Sequence, residues 1–169
     1  MTREEFIEVL DEKGCSYEIE GGKIIITDRG PVDLDRLTSI PSGVVFKNGG
    51  GVYLMHLASL PPGVVFKNGG RVELVSLTSL PPGVKFSNGA HVILNSLTSL
   101  PPGVVFKNKG DVYLRALTSI PPGVEFENKG DVYLTSLIGG WFYKWKGNIP
   151  GIRPRRLLNS MISKGLFER

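Results

Sequence analysis

Apolar residues recur along this chain with a fixed period. They fall at Val44, Phe46, Val52, Leu54, Leu57 and Leu60, and the same six positions return at Val64, Phe66, Val72, Leu74, Leu77 and Leu80. The period is twenty residues, without slippage from Leu37 to Leu137. Val44/Phe46 and Val52/Leu54 are two apart, the strand period. Leu57/Leu60 are three apart, which suits a corner or a tight helical turn. Two different breaks separate these pieces. Asn48-Gly49-Gly50 offers residues that accept positive φ, and Pro61-Pro62-Gly63 fixes φ and halts any helix. One copy reads as strand, Asn-Gly turn, strand, leucine corner, Pro-Pro-Gly turn. A lone coil of this kind has no second layer to bury its apolar positions. Stacked coils merge them into one column, which predicts a solenoid. Ladders of Asn48, Asn68, Asn88, Asn108 and Asn128, and of Phe46, Phe66, Phe86, Phe106 and Phe126, follow from the register.

The ends of the chain depart from the pattern. Thr2 and Glu5 have capping-box spacing, Phe6, Val9 and Leu10 recur at helical spacing, and Gly14 is placed to end the helix. This predicts a helix over residues 3–13. Tyr17–Glu20 and Lys23–Thr27 flank Gly21-Gly22 and read as a hairpin. Ile24 and Ile26 fall twenty residues before Val44 and Phe46, so a degenerate first repeat begins near residue 24. After Leu137 come the aromatics Trp141, Phe142, Tyr143 and Trp145, then Pro154 and a helical face of Leu157, Leu158, Met161 and Ile162. The expected fold is mainly β: a short right-handed parallel β-solenoid of about six coils with a capping helix at each end. It forms one domain, with a cap over 1–23, the repeat array over 24–137 and an aromatic, basic cap over 138–169. The alternative is an antiparallel hairpin array, as in choline-binding repeats, with Phe66-Lys67-Asn68-Gly69-Gly70-Arg71-Val72 as one hairpin. In parallel coils residue i meets i+20. In hairpins Phe66 lies opposite Val72.

The repeat Val-x-Leu-x-x-Leu-Thr-Ser-Leu-Pro-Pro-Gly-Val-x-Phe-x-Asn resembles the irregular leucine-rich repeats of bacterial surface-antigen type. In one copy the matching residues are Val72, Leu74, Leu77, Leu80, Pro81, Val84, Phe86 and Asn88. Its Leu-Thr-Ser-Leu-Pro segment also resembles the short repeats of secreted bacterial effectors. The likeness spans residues 24–137, with a period about three residues shorter than the surface-antigen repeat. The whole layout is similar to uncharacterised bacteriophage and environmental-sequence proteins. The resemblance implies a leucine-rich-repeat-like protein, phage-encoded and in the host cytoplasm, that binds other proteins.

Charge and composition alter this picture only locally. Net charge is +4, but residues 141–169 carry seven Lys and Arg against Glu168 alone, so the other 140 residues sum to −2. Lys144, Lys146, Arg153, Arg155 and Arg156 mix with aromatics there, the composition of a nucleic-acid or nucleotide contact; a solenoid cap with Arg155 and Arg156 merely solvated is the plainer reading. Cys15 is the only cysteine, so no intrachain disulfide is expected. The first residues lack a signal-peptide pattern and no apolar run reaches membrane-spanning length, so a cytoplasmic protein is expected.

Catalytic chemistry finds no purchase. His56 and His91 occupy different repeat positions, which predicts two exposed coil residues and no metal site. Ser39, Ser59, Ser79, Ser99 and Ser119 recur with the repeat, whereas a nucleophile is expected to be singular and beside a base. No enzyme activity and no cofactor are expected. Variation between copies carries more information. One varying column is Tyr53, Glu73, Ile93, Tyr113 and Tyr133, and flanking it are the columns Gly51, Arg71, His91, Asp111, Asp131 and Met55, Val75, Asn95, Arg115, Thr135. Tyr53, Ile93, Tyr113 and Tyr133 would form an apolar, aromatic stripe of the kind enriched in protein interfaces; β-propensity on an exposed strand is the plainer reading. A protein partner is expected, nucleic acid is the alternative, and coil edges or the tyrosine stripe could pair two copies.

Overall fold

The structure, a computed structural model, describes residues 1–136. Helix α1 (Arg3–Glu12) opens the chain behind the expected capping box: the Glu5 N–H donates to Thr2 Oγ1 (3.1 Å) and the Thr2 N–H to Glu5 Oε2 (2.7 Å). It ends at Lys13, with Gly14 beyond it at φ +63. Strands β1 (Tyr17–Glu20) and β2 (Lys23–Ile26) form the expected hairpin, with Gly21 and Gly22 at φ +52 and +79. Phe6 and Leu10 are fully buried in the same core as Ile24 and Ile26, so α1 covers the first coil.

From β2 onward the chain winds through six parallel coils. Sheet A has the order β1, β2, β4 (Val44–Phe46), β6 (Val65–Phe66), β8 (Lys85–Phe86), β10 (Val105–Phe106) and β12 (Glu125–Phe126). Sheet B runs through β3 (Val32–Asp33), β5 (Val52–Tyr53), β7 (Val72–Glu73), β9 (Val92–Ile93), β11 (Val112–Tyr113) and β13 (Val132–Tyr133). Phe66 pairs with Phe86 and Val72 with Val92. Every inter-coil pairing is parallel at i to i+20, which excludes the hairpin array. The C-terminal helix expected near residue 154 lies outside the described residues.

The inward columns build one continuous core. Val44, Phe46, Val52, Leu54, Leu57 and Leu60 are all buried, as are their equivalents in the next two copies. The phenylalanines stack in a file, with ring centroids 5.2 Å apart for Phe46–Phe66 and 5.1 Å for Phe106–Phe126. The strand spacing of about 4.8 Å imposes this separation, which falls within the favourable range for aromatic pairs. The leucine corner is a turn closed by the Leu57 N–H donating to the Leu54 carbonyl (3.1 Å). In the last coil Ile120, Val124, Phe126 and Leu134 are only partly buried.

The two turns hold the coils in different ways. In the Asn-Gly turn the asparagine points inward and is buried. Asn68 Nδ2 donates to the Gly50 and Gly70 carbonyls (both 3.0 Å) and to that of Arg71 (3.3 Å), tying its own turn to the one below. Three carbonyls around one nitrogen fix the amide's orientation. The Oδ1 atoms of Asn48, Asn68, Asn88 and Asn108 are left buried without a partner.

The glycines of this turn correct the sequence expectation. Gly49, Gly50, Gly69 and Gly70 are not at positive φ. A Cβ on Gly69 would collide with the Gly49 carbonyl oxygen, and one on Gly70 would lie 2.5 Å from Gly51 N. They are glycines because successive backbones approach too closely for a side chain. The positive φ belongs to the other turn, at Gly43, Gly63, Gly83, Gly103 and Gly123 (+73 to +82).

Candidate interaction surface

Parallel stacking turns each outward repeat position into a row across the coils. On sheet B the register sets Tyr53 beside Glu73, Glu73 beside Ile93, Ile93 beside Tyr113, and Tyr113 beside Tyr133. The four residues expected to form a stripe do lie in one row, each half-buried, with Glu73 interrupting it. The interruption divides the row into two unequal parts.

The first part centres on Tyr53. The Arg71 guanidinium sits 5.2 Å from the Tyr53 ring centroid, and Arg71 Nε lies 2.6 Å from Glu73 Oε1. Arg71 therefore neutralises the carboxylate in the row and covers the tyrosine ring. The second part is larger. The Tyr113 and Tyr133 rings stack with centroids 4.6 Å apart and planes within 4°. Arg115 lies 5.8 Å from the Tyr113 centroid, and His91 meets Tyr113 edge-on at 6.0 Å.

Asp111 organises this second part. Its Oδ2 accepts from the Tyr113 hydroxyl (3.1 Å), and its Oδ1 accepts from the Asp131 N–H (2.8 Å). The Asp111 N–H points at His91 Nδ1 (3.0 Å), and the same nitrogen lies 3.5 Å from Asp111 Oδ2. Burial, and then the bond to Asp111, push the Tyr113 phenol above its ordinary pKa. The arrangement is a rigid aromatic pair held at its hydroxyl end by a carboxylate, with an arginine over one ring. It can bury aromatic area against a partner at little cost in side-chain entropy. Among the described residues no group of three His, Cys, Asp or Glu could hold a metal ion. His56 and His91 are both exposed, as expected, and His56 Nδ1 lies 2.7 Å from the Asp35 carbonyl oxygen.

Not every varying position turned out to be surface. Val45, Val105 and Asp131 are buried. Lys144, Lys146, Arg153, Arg155 and Arg156 lie outside the described residues. One row had no place among the expected sites. Lys47, Lys67 and Lys107 share a column on the outer face of sheet A, beside Lys23 and Lys85, and all five are exposed. The clue was in the chain: position 47 and its equivalents read Lys, Lys, Ser, Lys, Glu, a column as variable as the tyrosine column. No helix among the described residues is long and apolar enough to cross a membrane.

No protein-family model matches this chain, and neither a curated protein nor a solved structure matches it.

Proposed function

We propose that the protein is a non-enzymatic repeat scaffold that binds another protein through the outer face of sheet B. In this reading it is leucine-rich-repeat-like, coils right-handed, and closes its last coil with the aromatic segment after Leu137. The single observation that carries the reading is the Tyr113–Tyr133 stack, anchored by Asp111 and flanked by Arg115. Tyrosine and arginine are the residue types that dominate the energetic centres of interfaces. Tyr53 and Ile93 extend the same row toward the first coil.

The test is capture from lysate by the wild-type chain and by a Tyr113→Asp/Tyr133→Asp variant, with partners identified by mass spectrometry. The expected result is one partner retained by the wild type and lost by the variant, with an unchanged circular dichroism spectrum. Equal recovery by the folded variant rules the surface out. A second reading rests on the charge of the C-terminal segment: Lys144, Lys146, Arg153, Arg155 and Arg156 would contact nucleic acid or a nucleotide. It predicts binding that weakens steeply with salt. Absence of a mobility shift at low ionic strength disposes of it.

A further inference from the structure

Among the described residues, two faces carry opposite charges that are left mostly without ion-pair partners. On the outer face of sheet A, Lys47, Lys67 and Lys107 stand in one column and Lys85 in the next. Among the described residues only Lys107 of these has a carboxylate at ion-pair distance, Glu127 at 3.1 Å. On α1, Glu4, Glu8 and Glu12 are exposed at i, i+4 and i+8, forming a stripe on the side away from buried Phe6 and Leu10. None of the three has an ion-pair partner among the described residues.

The two stripes match in length. At 1.5 Å per residue, Glu4 to Glu12 spans about 12 Å. At one strand spacing per coil, Lys47 to Lys107 spans about 14 Å, a difference within the reach of flexible lysine side chains. They cannot meet within one molecule. The Arg3 guanidinium bonds the Gly22 carbonyl and Phe6 packs in the first coil, whereas Lys67, Lys85 and Lys107 belong to the third, fourth and fifth coils.

We propose that α1 of one copy docks through Glu4, Glu8 and Glu12 onto the Lys47–Lys67–Lys85–Lys107 face of a second copy. The contact joins different surfaces of the two molecules. Such a contact either repeats from copy to copy or is made twice in a two-fold pair, and in both cases the mean mass grows with concentration. The face suits a short acidic helix better than a polyanion. Among the described residues it presents no aromatic side chain for base stacking. Glu18 and Glu20 lie on β1 at one end of the sheet, and Glu125 and Glu127 lie in or beside β12 at the other. A nucleic acid running along the stack would meet carboxylates at both ends.

The experiment is sedimentation velocity on the full chain over a range of concentrations. At low ionic strength the mean mass is expected to rise with concentration. Near 1 M salt, where the Debye length falls to about 3 Å, it should return to that of a monomer. Lys47→Glu/Lys67→Glu and Glu4→Lys/Glu8→Lys should each lower the association constant at least about tenfold, since like charges then face each other. An equimolar mixture of the two variants should associate again, because each then offers the face the other lacks. Should either reversal unfold the chain by circular dichroism, Lys47→Gln/Lys67→Gln replaces it and should show the same loss. Tyr113→Asp leaves this association unchanged, which separates it from the binding surface on sheet B. The inference is overturned by a wild-type chain that stays monomeric at low salt, by variants that associate as the wild type does, or by a mixture that fails to recover. It is equally overturned if a single-stranded oligonucleotide binds this face while the chain itself does not associate.

Discussion

The two turns of each coil both contain a glycine in nearly every copy, and they need it for unrelated reasons. In the Asn-Gly turn the chain above rests directly on the chain below, so that a Cβ at Gly69 would collide with the Gly49 carbonyl oxygen. In the Pro-Pro-Gly turn there is room: a Cβ on Gly83 would meet no atom within 4 Å, and that glycine is required by φ +73. One turn is tight between coils and relaxed in its backbone; the other is open between coils and left-handed in its backbone. The Asn-Gly turn also shows how much it can give. Lys109 and Lys129 stand in the column of Gly49, Gly69 and Gly89. There the bonds to the coil below lengthen to 3.2 Å (Gly110 N to Ala90 O) and 3.3 Å (Gly130 N to Gly110 O), against 2.9 Å for Gly70 N to Gly50 O. Invariance in a repeat therefore has to be explained column by column.

Substitutions can break this contrast, and the largest effect is expected at the asparagine. Asn68→Asp places an acceptor-only carboxylate against three carbonyl oxygens, which at neutral pH should cost at least about 3 kcal/mol, as other buried unpaired charges do. Burial raises the folded-state pKa of such a group. The penalty is therefore absent below the unfolded-state pKa and grows as pH rises toward the folded-state value. Urea melts of this variant should recover toward the wild type in acid; a pH-independent loss would mean that the site is not enclosed.

Next come the glycines, where the order of two replacements matters more than their size. Gly69→Ala should cost about 1–3 kcal/mol by overpacking, and Gly69→Asn should cost more, because a larger side chain meets the same backbone. Gly83→Ala should cost about 1–2 kcal/mol for a left-handed alanine, and Gly83→Asn less, because asparagine tolerates that conformation. Thermal melts that rank Ala and Asn alike at both sites would erase the distinction.

The smallest effect belongs to a residue in neither turn. Tyr113→Phe is expected to change stability by less than about 0.5 kcal/mol. The wild-type phenol should titrate above its ordinary value by ultraviolet absorbance, since burial and Asp111 favour its neutral form. Its contribution to stability is full below the unfolded-state pKa and lost as pH rises through the raised folded value. A phenol titrating at or below the ordinary value would mean that Asp111 does not hold it.

Much of this architecture can be read from residues alone because each coil repeats one set of constraints. The capping box at Thr2, the hairpin at Gly21-Gly22, the six inward columns and the phenylalanine file are all local patterns or consequences of register. The glycine roles were not readable. Asn-Gly commonly marks positive φ, and only the distance between successive backbones distinguishes crowding from handedness. The tyrosine row was legible with Glu73 in it, but not the Arg71 contacts to Tyr53 and Glu73, nor the Asp111 bond, which depend on rotamers. The lysine face was hidden because its members come from adjacent columns, Lys85 from one and Lys47, Lys67 and Lys107 from another. They form a single surface only when the coils are stacked.

The tyrosine row and the lysine face both exist because residue i lies on residue i+20. The most direct test is a nuclear Overhauser spectrum of the labelled chain, read at Phe66. The stacked coils predict contacts from the Phe66 ring to those of Phe46 and Phe86, and amide contacts between Lys67 and Phe46 that follow the Lys67 N–H to Phe46 carbonyl bond. A cross-strand pattern that sets the Phe66 backbone opposite Val72, with no contact to Phe86, would contradict the coils and dissolve both the tyrosine row and the lysine face.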